Sequence, residues 1–416
     1  MSRPLRQDVA SVLPSALELY LRLHREPELS GVERRTAARA ATVLRGLGCR
    51  VTEGIGGHGV AGVLHNGRGP TVLLRAELDA LPVREETGLP YASTVTAPGP
   101  QGVPVPVAHA CGHDAHLAIA LGVMDLLARH RDRWRGTVAL VGQPAEETLS
   151  GAAAVLADGL YERLGVPDAV LAQHLAPFPA GVVAHARTVL AASRALRIVL
   201  YGPGGHTAHP EGAANPIETA AAVVAGLPHA VGSHVVAGVG ALHAGTTANV
   251  RPDRATLEVS VRAPTGRQAG EAEGAIAELA RQEAARLTPG RPPEITVTAR
   301  SAPTVNHPEL GKTVRAAHTA VLGQPAVHPW PLSMATEDFP EYAAGRTVPT
   351  AYWMLGCVGR KQWESTADLP LRERFAVIPP NHSPRFAPDP VPTLRTGMVA
   401  MATAALACGL GDVSEM

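Results

Sequence analysis

Between residues 191 and 303 the chain keeps a rhythm that its flanks do not share, and this contrast limits the folds open to it. Arg194 to Tyr201 alternates like a strand, Pro216 to Leu227 has helical spacing, and Val236 to His243 and Ala255 to Ala263 are strand-like. Gly266 to Leu287 follows as a long helix and Glu294 to Arg300 as a last strand. That order, β-α-β-β-α-β, is the ferredoxin-like arrangement. Upstream, helical stretches at Asp8 to Arg25 and Val32 to Leu47 precede short β-rich runs at Gly59 to His65 and Thr71 to Arg75. A helix over Asp114 to His130 and buried strands at Thr137 to Gln143 and Ala169 to His174 come next. Such alternation predicts an α/β domain with a mixed, mostly parallel sheet. Downstream, His307 to Leu322 returns to an amphipathic helix before a Pro-rich segment. The expected organisation is a discontinuous larger domain, 1–190 and 304–416, interrupted by a smaller α+β domain, 191–303. A chain of 416 residues has material for two cores.

Lys+Arg and Asp+Glu are equal at 37 each, so the chain carries no net field that would gather nucleic acid or an anionic membrane. Met1 to Asp8 lacks the apolar run of an export signal. The apolar stretch Thr396 to Leu410 is short and rich in small residues, and is expected to be a buried terminal helix. A cytoplasmic location follows as the expectation. Cys49, Cys111, Cys357 and Cys408 lie far apart with no CxxC pair, so reduced thiols are expected. Three would pack as small apolar groups, whereas Cys111 stands among histidines.

The segment His109-Ala110-Cys111-Gly112-His113-Asp114-Ala115-His116 concentrates soft and borderline metal ligands. Cys111 and His113 are two apart, so an extended backbone would project both to one side, with Gly112 allowing close approach to an ion. The competing reading is a His-rich loop before a helix capped by Asp114. Gln143-Pro144-Ala145-Glu146-Glu147 follows an apolar strand, and extended backbone would point the two carboxylates in opposite directions. One could hold a metal while the other faces water; the competing reading is an acidic helix start. Position favours function, because functional groups in α/β sheets gather at the carboxyl ends of strands. His174 ends a predicted strand and His382 lies in Asn381-His382-Ser383-Pro384. With Cys111, His113 and Glu147 these make five candidate ligands, enough for two adjacent ions. The loop 82–108 and the Tyr352 to Trp363 stretch are expected to shape the substrate pocket.

These motifs, in this order, resemble family 20 of the metallopeptidases, in the branch of aminoacylases, hippurate hydrolases and plant auxin-conjugate amidohydrolases. Further landmarks are His24-Arg25-Glu26-Pro27-Glu28-Leu29-Ser30, Leu78-Asp79-Ala80-Leu81-Pro82 and Gly204-Gly205-His206. Asn249-Val250-Arg251-Pro252-Asp253 and Thr336-Glu337-Asp338-Phe339 complete the set. The resemblance implies a zinc-peptidase-like catalytic domain and an inserted domain that mediates a homodimer. It implies that Cys111, His113, Glu147, His174 and His382 hold two zinc or manganese ions, and that Glu146 is the general base. His206 would act on the oxyanion in the partner's site, and Asn249 and Arg262 would recognise a small N-acyl amino acid. One departure stands out: Arg75-Ala76-Glu77-Leu78-Asp79 carries Glu77 where the family has Asp. Glu77 is expected to act on ligand orientation and metal affinity rather than on reaction type. Two other readings compete with a metal-dependent amidohydrolase: a thiol amidase with Cys111 as nucleophile and His113 as base, and a metal-binding homologue without catalysis.

Overall fold

The computed structural model describes residues 3–99, 102–208, 214–343, 345 and 348–411. Two compact units account for them: residues 1–189, 305–331 and 338–416 in one, and residues 190–304 with 332–337 in the other.

In the first unit the apolar runs Thr71–Glu77, Gly136–Gln143 and Ala169–Pro179 form adjacent parallel strands. Buried on both faces, they read as continuous Val/Leu/Ala rather than alternating sequence. They belong to an eight-stranded sheet ordered Arg50–Ile55, Gly59–Asn66, Gly136–Gln143, Thr71–Glu77, Ala169–Pro179, Thr350–Val358, Val183–His185, Val327–Pro329. The first two strands and the Thr350–Val358 to Val183–His185 pairing are antiparallel, so the sheet is mixed and mostly parallel. Helices Arg3–Arg25, His113–Arg129 and Pro390–Ala405 pack on one another in this unit. Their closeness explains an apparently misplaced glycine: a Cβ on Gly122 would stand 2.4 Å from Met398 Sδ. Pro390–Leu410 is long and apolar enough to cross a membrane, but 78% of that window is buried inside the unit.

The strand Thr350–Val358 is absent from the sequence expectation, and it lies near the sheet centre with every residue buried. Its uninterrupted apolar run has no alternation to mark it. Tyr352 to Val358 is therefore sheet core rather than pocket wall, which corrects the expected role of that stretch. The same partner carries Ala169–Pro179 beyond His174, because Met354 pairs with His174 and Val358 with Pro179. His174 is thus inside a strand, not at its end.

The second unit is a four-stranded antiparallel sheet ordered Val236–Ala244, Arg254–Ala263, Ala192–Tyr201, Glu294–Ser301. Helices Pro216–Ala230 and Gly266–Leu287 pack on each other and on these strands. The strict alternation of burial along Arg254–Ala263 gives the sheet one core face, built from Leu196, Ile198, Leu257, Val259 and helix residues such as Ile276. Gly205–His206 pairs with Val250–Arg251 as a separate two-stranded ribbon.

Candidate metal centre

Three neighbouring parallel strands deliver the chemistry of the first unit. Asp79 lies two residues beyond Thr71–Glu77, Glu146 and Glu147 follow Gly136–Gln143, and His174 sits in Ala169–Pro179. His113 opens the helix His113–Arg129 directly after Gly112. Gly112 has φ 87° and a Cβ there would meet Leu175 Cδ1 at 2.7 Å, so the turn and Leu175 require glycine. This differs from the expected extended Cys111–His113 segment: a left-handed turn, not strand alternation, sets the two side chains. Nor is the Glu146–Glu147 segment extended. Ala145 has φ 52° and residues 146–149 form a turn. Both carboxylates consequently face one nitrogen, His113 Nε2, with Glu146 Oε2 at 3.7 Å and Glu147 Oε1 at 3.8 Å.

The remaining expected ligands close on the same region. Cys111 Sγ is 3.4 Å from His174 Nε2, and His382 Nε2 is 3.3 Å from Glu147 Oε1. Donor atoms of Cys111, His113 and Glu147 lie within 4.8 Å of one another, as do those of His113, His174, His116 and Glu77. The imidazoles are pre-set by their outer nitrogens. His113 Nδ1 is 3.0 Å from the Asp79 carbonyl and 3.1 Å from its carboxylate, and His174 Nδ1 is 2.8 Å from the Leu175 carbonyl. Donation from Nδ1 leaves each Nε2 lone pair facing the cluster. His382 is held in a left-handed conformation, φ 69°, with its N–H on the Ala110 carbonyl at 2.7 Å.

His113 Nε2 and Glu147 Oε1 are buried and make no hydrogen bond. Orphaned acceptors of this kind carry a desolvation cost unless something satisfies them. A thiol, three imidazoles and a carboxylate suit divalent cations such as zinc, so the residues fit the metals that the family resemblance implies. Burial, and then the Glu147 carboxylate, push the Cys111 thiol up to about 12. An activated nucleophile needs the opposite shift, so the site favours Cys111 as a ligand whose negative charge a cation would stabilise.

A buried network surrounds this cluster. Glu77 accepts from His116 Nδ1 at 2.8 Å and pairs with Arg75, while His116 Nε2 accepts the Leu175 N–H at 2.9 Å. Both nitrogens of His116 are thereby engaged within the protein. Arg75 also donates to Gln143 Oε1 at 2.8 Å and Asp338 Oδ1 at 2.9 Å. The Glu77 carboxyl overcomes its burial and sits well below the usual carboxylate range because Arg75 and His116 flank it. Asp79 is likewise depressed despite burial, through its bond to His113. His24 bridges Asp114 at 2.7 Å and Glu85 at 3.1 Å. Burial alone would lower its pKa, but the two carboxylates raise it to about 10. This pair of contacts ties the 82–108 loop to the helix that starts at His113, and the Glu86 N–H reaches the Pro384 carbonyl beside His382 at 2.7 Å. Asp79, His116, Arg75, Gln143 and Asp338 were not among the expected site residues, although all five stand in motifs that the sequence displays.

The second unit carries the other expected site residues. His206 pairs with Val250 on the exposed ribbon, and its Nδ1 accepts the Ala208 N–H at 3.0 Å. Asn249 adjoins it, its carbonyl accepting from the Thr207 N–H at 3.1 Å. Arg262 donates to Thr336 Oγ1 within the same unit.

Residues 73–369 match the model of peptidase family M20/M25/M40. An IAA-amino acid hydrolase ILR1-like 2 of Arabidopsis thaliana is 30% identical over 85% of this chain and 80% of its own length. An N-acetyl-L-cysteine deacetylase of Bacillus subtilis is 31% identical over 83% of this chain and 81% of its own. Among solved structures, the Bacillus subtilis YXEP protein, a dinuclear metal binding peptidase from the M20 family, superposes with a TM-score of 0.73 at 24% identity, covering 95% of this chain and 99% of that one.

Proposed function

The chain belongs to peptidase family M20/M25/M40, and from that premise we propose that it hydrolyses the amide bond of small N-acyl amino acids. The observation that carries this reading is the convergence of Cys111, His113 and Glu147, where His113 Nε2 and Glu147 Oε1 are buried without a hydrogen bond and Glu146 lies beside His113 Nε2. Cys111, His113, Glu147, His174 and His382 would hold two zinc or manganese ions. Bound there, the ions supply Lewis-acid polarisation of the substrate carbonyl and a lowered pKa for water. Glu146 takes a proton from the attacking water and returns it to the leaving nitrogen. Asp79 and the Leu175 carbonyl keep the His113 and His174 rings turned so that each Nε2 lone pair faces the position the ions would take.

The substrate class rests on relatives whose names specify amides of amino acids. Arg262 would pair with the substrate α-carboxylate, aided by Asn249. The smaller unit would mediate a homodimer, in which His206 donates to the oxyanion of the partner's site.

The test is a panel of N-acetyl, N-benzoyl and indole-acetyl amino acids, each beside its α-carboxamide, assayed with zinc and then manganese after chelation. Metal-dependent release of the free amino acid, with the carboxamides turned over poorly, is the expected result. Activity that survives complete metal removal would return the thiol reading, and turnover of no amide at all would leave a metal-binding homologue. Glu146→Gln in the same assay should lower kcat by at least about 100-fold with metal content unchanged.

A further inference from the structure

The segment that follows His24 in the sequence has no part in the chemistry above, yet it lies under the loop that presents Glu146. Glu33 is fully buried, and its Oε1 accepts two backbone N–H groups, from Gly31 at 2.7 Å and from Ala145 at 2.8 Å. Ala145 is the residue immediately before Glu146, and it is held at φ 52°, a conformation that residues with a Cβ rarely adopt. On the other side of Glu146, the Glu147 N–H donates to Asp79 Oδ2 at 2.9 Å, and Ser30 Oγ donates to that same oxygen at 2.7 Å. The backbone is therefore tied down by a buried carboxylate one residue before and one residue after Glu146. Both ties lead back to residues 30–33. Asp79 also orients His113, so its loss would disturb the metal ligands directly. Among the described residues, the Glu33 carboxylate takes its hydrogen bonds from backbone N–H groups and from no proposed ligand side chain, which leaves it as the separable half of the clamp.

We propose that Glu33 is a positioning residue for the general base: its Oε1 fixes the left-handed Ala145 and thereby aims the Glu146 carboxylate. This rests on the reading of Glu146 as general base. Strain of this kind persists only where surrounding contacts over-determine it, and the Glu33–Ala145 bond is such a contact. A carboxylate displaced by about 1 Å loses on the order of 100-fold in rate while substrate binding survives. The other oxygen, Oε2, is buried without a hydrogen bond, so the loop is held through one acceptor oxygen.

The experiment compares wild type, Glu33→Ala, Glu33→Gln, Glu33→Asp and Glu146→Gln, each metal-loaded with its metal content measured, using the best substrate of the panel above. Glu33→Ala should lose about 10- to 100-fold in kcat, with KM within about threefold and full metal occupancy. Glu33→Gln keeps an acceptor oxygen at the same reach and should recover most of that loss. Should Glu33→Ala fail to fold, Glu33→Asp serves instead: it keeps the charge but retreats by one methylene, and the same kcat-selective loss is expected. A merely structural Glu33 would lower the melting temperature and leave kcat per folded, metal-loaded enzyme unchanged, which overturns the proposal. So does a Glu33→Gln as impaired as Glu33→Ala, because the acceptor oxygen would then not be the operative feature. An active Glu146→Gln removes the general-base reading itself; an inactive Glu146→Gln beside a fully active Glu33→Ala removes only the role of Glu33.

Discussion

The carboxylate of Glu77 reaches His116 Nδ1 at 2.8 Å, and through His116 Nε2 it fixes the Leu175 N–H, the residue next to His174. Glu77 therefore supports a histidine that is not itself a proposed ligand. Glu77 also answers the guanidinium of Arg75, whose side chain is fully buried and also pairs with Asp338. Glu77→Gln is expected to destabilise the fold by about 3 kcal/mol, since removing one member of a buried ion pair leaves the other charge undercompensated. Urea unfolding of the two proteins at pH 7 measures this. Equal midpoints would show that the remaining partners of Arg75 balance its charge without Glu77.

Cys111→Ser and His113→Ala should each weaken metal retention by about tenfold or more, a loss at least as large as outer partners of a ligand produce. Both replace donors of the Cys111–His113–Glu147 cluster. Metal content after dialysis against graded chelator is the readout. Full occupancy in an inactive Cys111→Ser would instead make Cys111 the nucleophile.

The His185–His318 pair predicts acid sensitivity away from the metal cluster. His185 Nε2 is 3.0 Å from His318 Nδ1, and His318 Nε2 is 2.9 Å from the Ala400 carbonyl. With one N–H committed to Ala400, His318 accepts from a neutral His185. Burial, followed for His185 by the neighbouring His318, pushes both well below the ordinary histidine value, His318 to about 4. Folded pKa values below the unfolded value of about 6.5 mean that the unfolded chain binds more protons as pH falls. The pair costs nothing above that pH, and stability declines below it by up to about 1.4 kcal/mol per pH unit for each histidine. Between about pH 6.5 and 4.5 most carboxylates stay ionised, so that window belongs to buried histidines. Urea midpoints from pH 7 to 4.5 should fall more steeply for wild type than for His318→Gln, and parallel curves would assign the loss to other groups.

Subunit exchange tests the dimer and His206 together. His206→Ala alone should lower kcat by about 100- to 1,000-fold with metal content intact, as removal of an oxyanion donor does. Mixing His206→Ala with Glu146→Gln should then restore activity, because one site of each heterodimer would hold both groups. Verified heterodimers without recovered activity would place the action of His206 within its own chain or remove it from catalysis.

Residue types and local periodicity were sufficient for much of this protein. The helix Gly266–Leu287 and the strand Gly136–Gln143 lie where spacing and apolar runs put them, because both patterns are written in neighbouring residues. The donor set around Cys111 and His113 was legible for the same reason: ligand chemistry belongs to the side chains themselves. Tertiary structure alone decided how those side chains meet. The strand Thr350–Val358 carries no period, yet its pairing with Ala169–Pro179 runs through His174, which lies beside Cys111. Extended geometry was the wrong guide at Gly112 and Ala145, where positive φ values turn the chain. Leu175 leaves no room for a side chain at Gly112, and Glu33 accepts the Ala145 N–H; both are distant in sequence, and no local pattern encodes their contacts. Likewise Glu77, Arg75 and Asp338 are ordinary charges in the sequence, and they become a network only because burial removes water as a partner and leaves them one another.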